Sequence, residues 1–160
     1  MAYLIDADVF IRAKNLHYGL DFCPAFWDWI VQESLAGRVF SIEKVGDDLH
    51  AIQDDLSTWA DARGAAFFVR PDASVQPALA RVSTWAQSQK YTQTAVSEFL
   101  QVSDYYLVAQ AVAGTHTVVT HEIPSASIRR IKIPDACLGL SVKCMTPYEM
   151  LRRERARFVL

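Results

Sequence analysis

Short apolar runs of strand length alternate along this chain with longer stretches whose apolar residues recur every three or four positions. Tyr3-Leu4-Ile5 is the first run and ends in Asp6-Ala7-Asp8. Pro24 opens a helix carrying Phe26, Trp27, Ile30, Val31 and Leu35, closed by Gly37. Ser41 reads as the N-cap of the next helix, where Val45, Leu49, Ile52, Leu56 and Trp59 form one narrow apolar stripe up to Gly64. Ala66-Phe67-Phe68-Val69 is a second buried strand, stopped by Arg70-Pro71-Asp72. A helix over 74–89 follows, then a short one capped by Thr92 or Thr94. Another starts at Ser103-Asp104, turns Leu107, Val108 and Ala111 inward, and precedes Gly114. Thr117-Val118-Val119-Thr120, four β-branched residues in a row, is the clearest strand. Ile131-Lys132-Ile133 and Ser141-Val142-Lys143-Cys144 are further short strands, and Thr146-Pro147 opens a final helix rich in arginine. The alternation predicts an α/β domain with a largely parallel sheet covered on both faces.

At 160 residues the chain has the length of one domain, and a 51% share of hydrophobic residues excludes a disordered one. No apolar run approaches a membrane span. The start has no basic segment ahead of an apolar one, so a signal peptide is not expected and a cytoplasmic location is. Three cysteines without CxxC spacing read as reduced thiols, and the four histidines show no paired ligand spacing. A net charge of −2 excludes a strongly basic nucleic-acid binder. The charge is uneven, however: residues 1–120 hold 8 basic against 14 acidic residues, and residues 121–160 hold 8 against 4.

The acids carry the chemical signal. In open parallel sheets, working residues gather beyond the carboxyl ends of the strands. Asp6 and Asp8 follow the first strand, Glu122 follows the clearest strand in Val118-Val119-Thr120-His121-Glu122, and Asp104 sits at a helix start. Glu43, Asp47 and Asp48 lie in the first turns of the Ser41 helix. Converging carboxylates repel one another unless a cation neutralises them, and hard oxygen donors suit Mg²⁺ or Mn²⁺. Taken singly, Asp104, Asp47 and Asp48 also fit solvated helix positions, whereas Asp6, directly after a buried strand, needs a partner.

Four stretches, in order, resemble the motifs of PIN-domain nucleases. Tyr3-Leu4-Ile5-Asp6-Ala7-Asp8-Val9-Phe10-Ile11 is similar to their opening strand, and Val45-Gly46-Asp47-Asp48-Leu49 to their second motif. Asp104-Tyr105-Tyr106-Leu107-Val108-Ala109-Gln110-Ala111 resembles the third motif and Val118-Val119-Thr120-His121-Glu122 the fourth. The likeness covers residues 3–145. Together with Lys132-Ile133-Pro134-Asp135-Ala136-Cys137 it resembles an uncharacterised prokaryotic PIN-like subgroup, many of whose members look like toxins of toxin–antitoxin pairs. Three departures stand out: Asp8 where Asn or Ser is usual, Asp48 in place of Glu, and Glu122 in place of Asp or Asn.

The resemblance implies a single three-layer α/β/α domain over 1–160 with a mostly parallel central sheet. It implies a metal-dependent endoribonuclease, with Asp6, Asp48, Asp104 and Glu122 holding Mg²⁺ or Mn²⁺, and Asp8 and Thr120 supporting them. Either Asp47 or Glu43 is an alternative to Asp48, and a role for Asp135 is left open. Arg12, Lys14, Arg129 and Arg130 are the basic residues expected near substrate RNA, whether tRNA or mRNA. Tyr18, Trp27, Tyr105 and Tyr106 read as core or interface residues, with stacking on single-stranded bases as the alternative. Arg152, Arg153, Arg155 and Arg157 of the last helix are either structural or antitoxin-facing, and His121 reads as a surface histidine. Partners implied are a cognate antitoxin and a second copy of the chain, the latter through an apolar face of Phe22, Phe26 and Trp29. The alternative is a PIN-like module that binds nucleic acid or protein without cutting. A phosphoacceptor domain of the same architecture lacks its late lysine here, and no glycine-rich phosphate loop is present.

Overall fold

Parallel strands are buried on both faces, so their sequences read as unbroken apolar runs instead of alternating ones. β1 (Tyr3–Ile5) is such a run, buried at every residue. The computed structural model, which describes residues 1–160, places β1 at the centre of a five-stranded sheet. β2 (Val39–Ile42), β3 (Phe68–Val69), β4 (Thr117–Val119) and β5 (Cys144–Met145) complete it in the order β3-β2-β1-β4-β5, every pairing parallel. Helices flank the sheet as a three-layer α/β/α fold, and one cluster of 35 buried residues forms the core. No helix is long and apolar enough to cross a membrane.

The chain runs outward from β1 through β2 to β3, then returns to β4 on the other side of β1. The gap between the carboxyl ends of β1 and β4 is therefore the switch point of the sheet, where open α/β folds bind their ligands. β1 and β4 are in register there, with Ile5 opposite Val119.

The connections supply the helices that aim side chains into this gap. α1 (Ala7–Arg12) starts straight after β1, with Asp6 as its N-cap accepting from the Ala7 amide at 2.8 Å. A π-helical turn, Ala13–His17, extends it. α2 (Pro24–Leu35) packs on β2 and ends before Gly37, whose φ of 77° suits glycine. α3 (Glu43–Ile52), α4 (Asp55–Asp61), α5 (Val75–Ser88) and α6 (Gln93–Phe99) precede α7 (Ser103–Gly114), which packs on β2 and β4. α8 (Ile133–Gly139) and α9 (Pro147–Arg153) follow β4 and β5.

Several local expectations give way to the structure. Ser41 is no helix cap: it lies in β2, fully buried, and its hydroxyl donates to the Ile5 carbonyl across the sheet. That bond satisfies a polar group in a strand that composition alone left invisible. The single helix expected from Val45 to Trp59 is two. Gln53 adopts a left-handed φ of 56° at the end of α3, and Asp54 caps α4 in a reciprocal pair with Ser57. The apolar spacing survives the break because both helices lie on the same core, with Leu49 and Leu56 buried.

Ala66 belongs to a 3₁₀ turn, which leaves β3 only two residues. Gly114 is the last residue of α7, and Thr115 carries the left-handed turn after it. Ile131-Lys132-Ile133 is not a strand: Ile133 opens α8 with Pro134 in the first turn, where a missing amide proton costs nothing. Ser141-Val142-Lys143 is likewise loop, and only Cys144 of that run belongs to β5. The apolar face of Phe22, Phe26 and Trp29 is also dismantled, because Phe26 is fully buried and stacked against Tyr18 at 4.5 Å. Of that trio Phe22 is exposed and Trp29 half-buried.

Candidate functional site

Asp6 is pinned by the two elements that meet at the switch point. One carboxylate oxygen caps α1, and the other accepts from the Thr120 hydroxyl at 2.8 Å. Thr120, 1% exposed, follows β4 and itself accepts from the Glu122 amide at 3.0 Å. Asp8, in the first turn of α1, accepts from the His121 amide at 3.2 Å and takes a longer, 3.4 Å contact from Thr120. The residues after β4 thus clamp both acids after β1.

Asp104 enters from the first turn of α7, and Asp48 acts on it electrostatically from α3. Glu122, 13% exposed at its side chain, accepts from the Ile133 amide at 2.8 Å and lies 3.8 Å from Arg130. Burial pushes the Asp6 carboxyl well above its ordinary range, and the neighbouring charges of Asp8 and Asp104 add to that. Asp104 is raised to about 6, chiefly by burial and then by Glu122, while Arg130 opposes the rise. Five acids therefore share one electrostatic neighbourhood, and Arg130 is the cation set against it.

The other candidates separate cleanly. Glu43 pairs with Arg70 at 2.7 Å, and both Glu43 and Asp47 line a different groove of about 310 Å³ with His50 and Asp61. Asp48 is thus the acid of its helix that faces the cluster. Asp135 accepts from the Ser125 amide at 3.0 Å and ties down the loop between β4 and α8. Lys14 is engaged with Asp54 at 2.9 Å. Arg12 and Arg129 are exposed, and Arg12 is close enough to act on His121. Tyr18 and Trp27 are locked in core packing, while Tyr105 donates to the Leu79 carbonyl. Lys44 sits over the ring of Tyr106.

Two clefts flank the acids. One, of about 220 Å³, runs between Asp104 and Arg130 past Glu98, Phe99 and Ile131. The other, of about 380 Å³, runs from Thr120 and Glu122 along Cys144, Met145 and Glu149. The donor set fits a hard divalent cation in chemistry: oxygen donors only, with Asp6 buried, Asp8, Asp104 and Glu122 partly buried, and Asp48 exposed at the rim. The side chains do not converge: no three acids bring their oxygens to a common ligating point. Glu122 is turned onto the Ile133 amide and Asp8 onto the His121 amide.

Two features escaped the sequence reading. The Ile133 amide as a partner of Glu122 depends on a long loop folding back. A cluster of His17, His121 and Tyr148 assembles residues 104 and 27 positions apart, and no local pattern marks it.

In metal-free buffer the raised Asp104 carboxyl makes stability fall as pH rises. The fold holds a proton that the unfolded chain, ordinary at 3.8, has lost, so the contribution is complete at low pH and gone above about 6. Relative to Asp104→Asn, the wild type is expected to lose about 1–2 kcal/mol between pH 5 and 7.5. Urea denaturation in EDTA across that range checks it, and parallel curves for the two proteins contradict it.

A profile of the family described as Domain of unknown function (DUF4411) matches residues 3–158, and the chain belongs to that family. No curated protein and no solved structure matches it.

Proposed function

We propose that this member of the family is a metal-dependent endoribonuclease of the PIN kind, which hydrolyses phosphodiester bonds of single-stranded or looped RNA. The observation that supports it best is the cluster of Asp6, Asp8, Asp104 and Glu122 at the switch point, where burial and neighbouring charges raise the carboxyl groups of Asp6 and Asp104 above their ordinary range. Such an arrangement is costly for a scaffold and useful for a cation site.

Asp6 and Asp104 would hold the cation, with Asp48 and Glu122 at its edges. A bound Mg²⁺ or Mn²⁺ supplies a water of lowered pKa and stabilises charge on the phosphate oxygens. Thr120 fixes Asp6 and holds one of its oxygens by hydrogen bond, and Asp8 keeps the post-β4 segment in place. Arg130, beside Asp104 and Glu122, is placed to meet a phosphate in the adjoining cleft. Single-stranded RNA suits two open clefts on either side of the acids, since its bases and 2′-hydroxyls are accessible. A role as the toxin of a toxin–antitoxin pair, restrained by an antitoxin over these clefts, belongs to the same reading.

A second reading has one observation in its favour. Glu122 already spends its oxygens on the Ile133 amide and Arg130, as in a module that binds RNA or protein without cutting it. Cleavage of a labelled RNA mixture in Mn²⁺ separates the two. Asp6→Asn and Asp104→Asn are each expected to lower the cleavage rate by at least about 100-fold, more than loss of a supporting group. No cleavage by the wild type in Mg²⁺ or Mn²⁺ favours the second reading.

A further inference from the structure

Three rings stand against the Asp8 side of the acidic cluster, and the chemistry proposed above uses none of them. His17 comes from the π-helical turn after α1, His121 follows Thr120, and Tyr148 lies in the first turn of α9. Their centroids are 5.6 Å apart in all three pairings, at mutual tilts of 37°, 66° and 80°. Tyr148 Oη and His17 Nε2 are 2.9 Å apart and hydrogen bonded, which fixes both rings. The His121 amide donates to Asp8, so the cluster is coupled to the acids through one residue.

The position distinguishes these rings from the core aromatics. Phe10 and Phe26 are fully buried, whereas His17 is exposed and His121 and Tyr148 are half-exposed. Rings held rigid by one another and open to solvent add little to the hydrophobic core. They keep flat surfaces available, and exposed Arg12 adds positive charge beside them. Flat rings with a nearby cation are the elements by which proteins hold single-stranded nucleic acid, because every base has a face to stack.

We propose that His17, His121 and Tyr148 form a binding subsite for one base of a single-stranded nucleic acid, beside Asp8, that positions the strand across the acidic cluster. The proposal rests on the nuclease reading for the chemistry of the ligand. It adds residues that grip the substrate beside Asp8.

The test is made in Asp6→Asn protein in EDTA, where no cutting is expected, using a fluorescein-labelled single-stranded RNA of mixed sequence followed by anisotropy. Adding His17→Ala or Tyr148→Ala is expected to weaken binding about tenfold or more, in variants whose melting temperatures stay near that of the parent. An oligonucleotide with abasic sites is expected to bind the parent and both variants alike, a result that a merely structural role would not produce. The same DNA sequence serves as a further arm that reports the contribution of the 2′-hydroxyl. Unchanged affinity in both alanine variants overturns the subsite while the cleavage reading stands, and so does failure of the parent to bind. Absence of RNA cleavage by the wild type in Mn²⁺ sinks the nuclease reading separately, and the anisotropy still decides the subsite.

Discussion

Replacing Asp6 by Asn is expected to raise the melting temperature in EDTA and to abolish stabilisation by Mn²⁺. Asn has nearly the same shape as Asp. Its oxygen can still accept from the Ala7 amide, as Asp6 does at 2.8 Å. Its amide then faces Thr120, whose hydroxyl can turn to Asp8, already 3.4 Å away. What the substitution removes is an ionisation that burial, Asp8 and Asp104 all penalise, so the apo protein gains stability at any pH that would otherwise ionise Asp6. Stabilisation by added Mn²⁺ is expected to be lost. At a hundredfold excess over its dissociation constant, a ligand that binds only the folded state adds about 2.7 kcal/mol. For a chain of this size that corresponds to about 5–10 °C. The wild type should show that shift in Mn²⁺ and the variant none, in thermal melts with and without metal. Equal shifts in both proteins would place the metal elsewhere.

The second large effect is structural. Phe10→Ala is expected to cost about 3–5 kcal/mol, the usual price of a large cavity in a core. Phe10 is fully buried, two residues beyond Asp8 on α1. Its ring packs against Trp59 at 5.8 Å, Phe67 at 6.0 Å and Phe68 at 6.3 Å. It therefore joins the helix bearing the acids to α4 and to the edge strand β3. Phe10→Leu fills most of the space and should cost less than half as much, with the midpoint of urea denaturation as the measure. A loss below about 1 kcal/mol for Phe10→Ala would mean that the site helix is held by its ends alone.

Much of the architecture was legible because it is written in local patterns. Tyr3-Leu4-Ile5 and Thr117-Val118-Val119 are apolar runs that only a buried strand accommodates. Pro24, Thr92 and Thr146 mark helix starts by chemistry that acts within three residues. β2 was not legible, since Ser41 resembles a cap until the Ile5 carbonyl opposite it is known. The break at Gln53 was hidden by apolar spacing that continues across it.

The acids of the candidate site divide in the same way. Asp6, Asp104 and Glu122 were marked by standing next to predicted strand ends or a helix start, positions that the order of elements carries to one edge of the sheet. Asp48 was separated from Asp47 and Glu43 only by the rotation of α3, which turns those two toward Arg70 and His50. The engagement of Lys14 by Asp54, the return of Arg130 to Glu122, and the meeting of His17 with His121 and Tyr148 all join distant segments. The sequence by itself determined an α/β chain with carboxylates after its strands, because periodicity, capping and burial act between neighbours. Only the tertiary structure decided which carboxylates share a field and which cations and rings border them, because electrostatics and packing act across space and ignore separation along the chain.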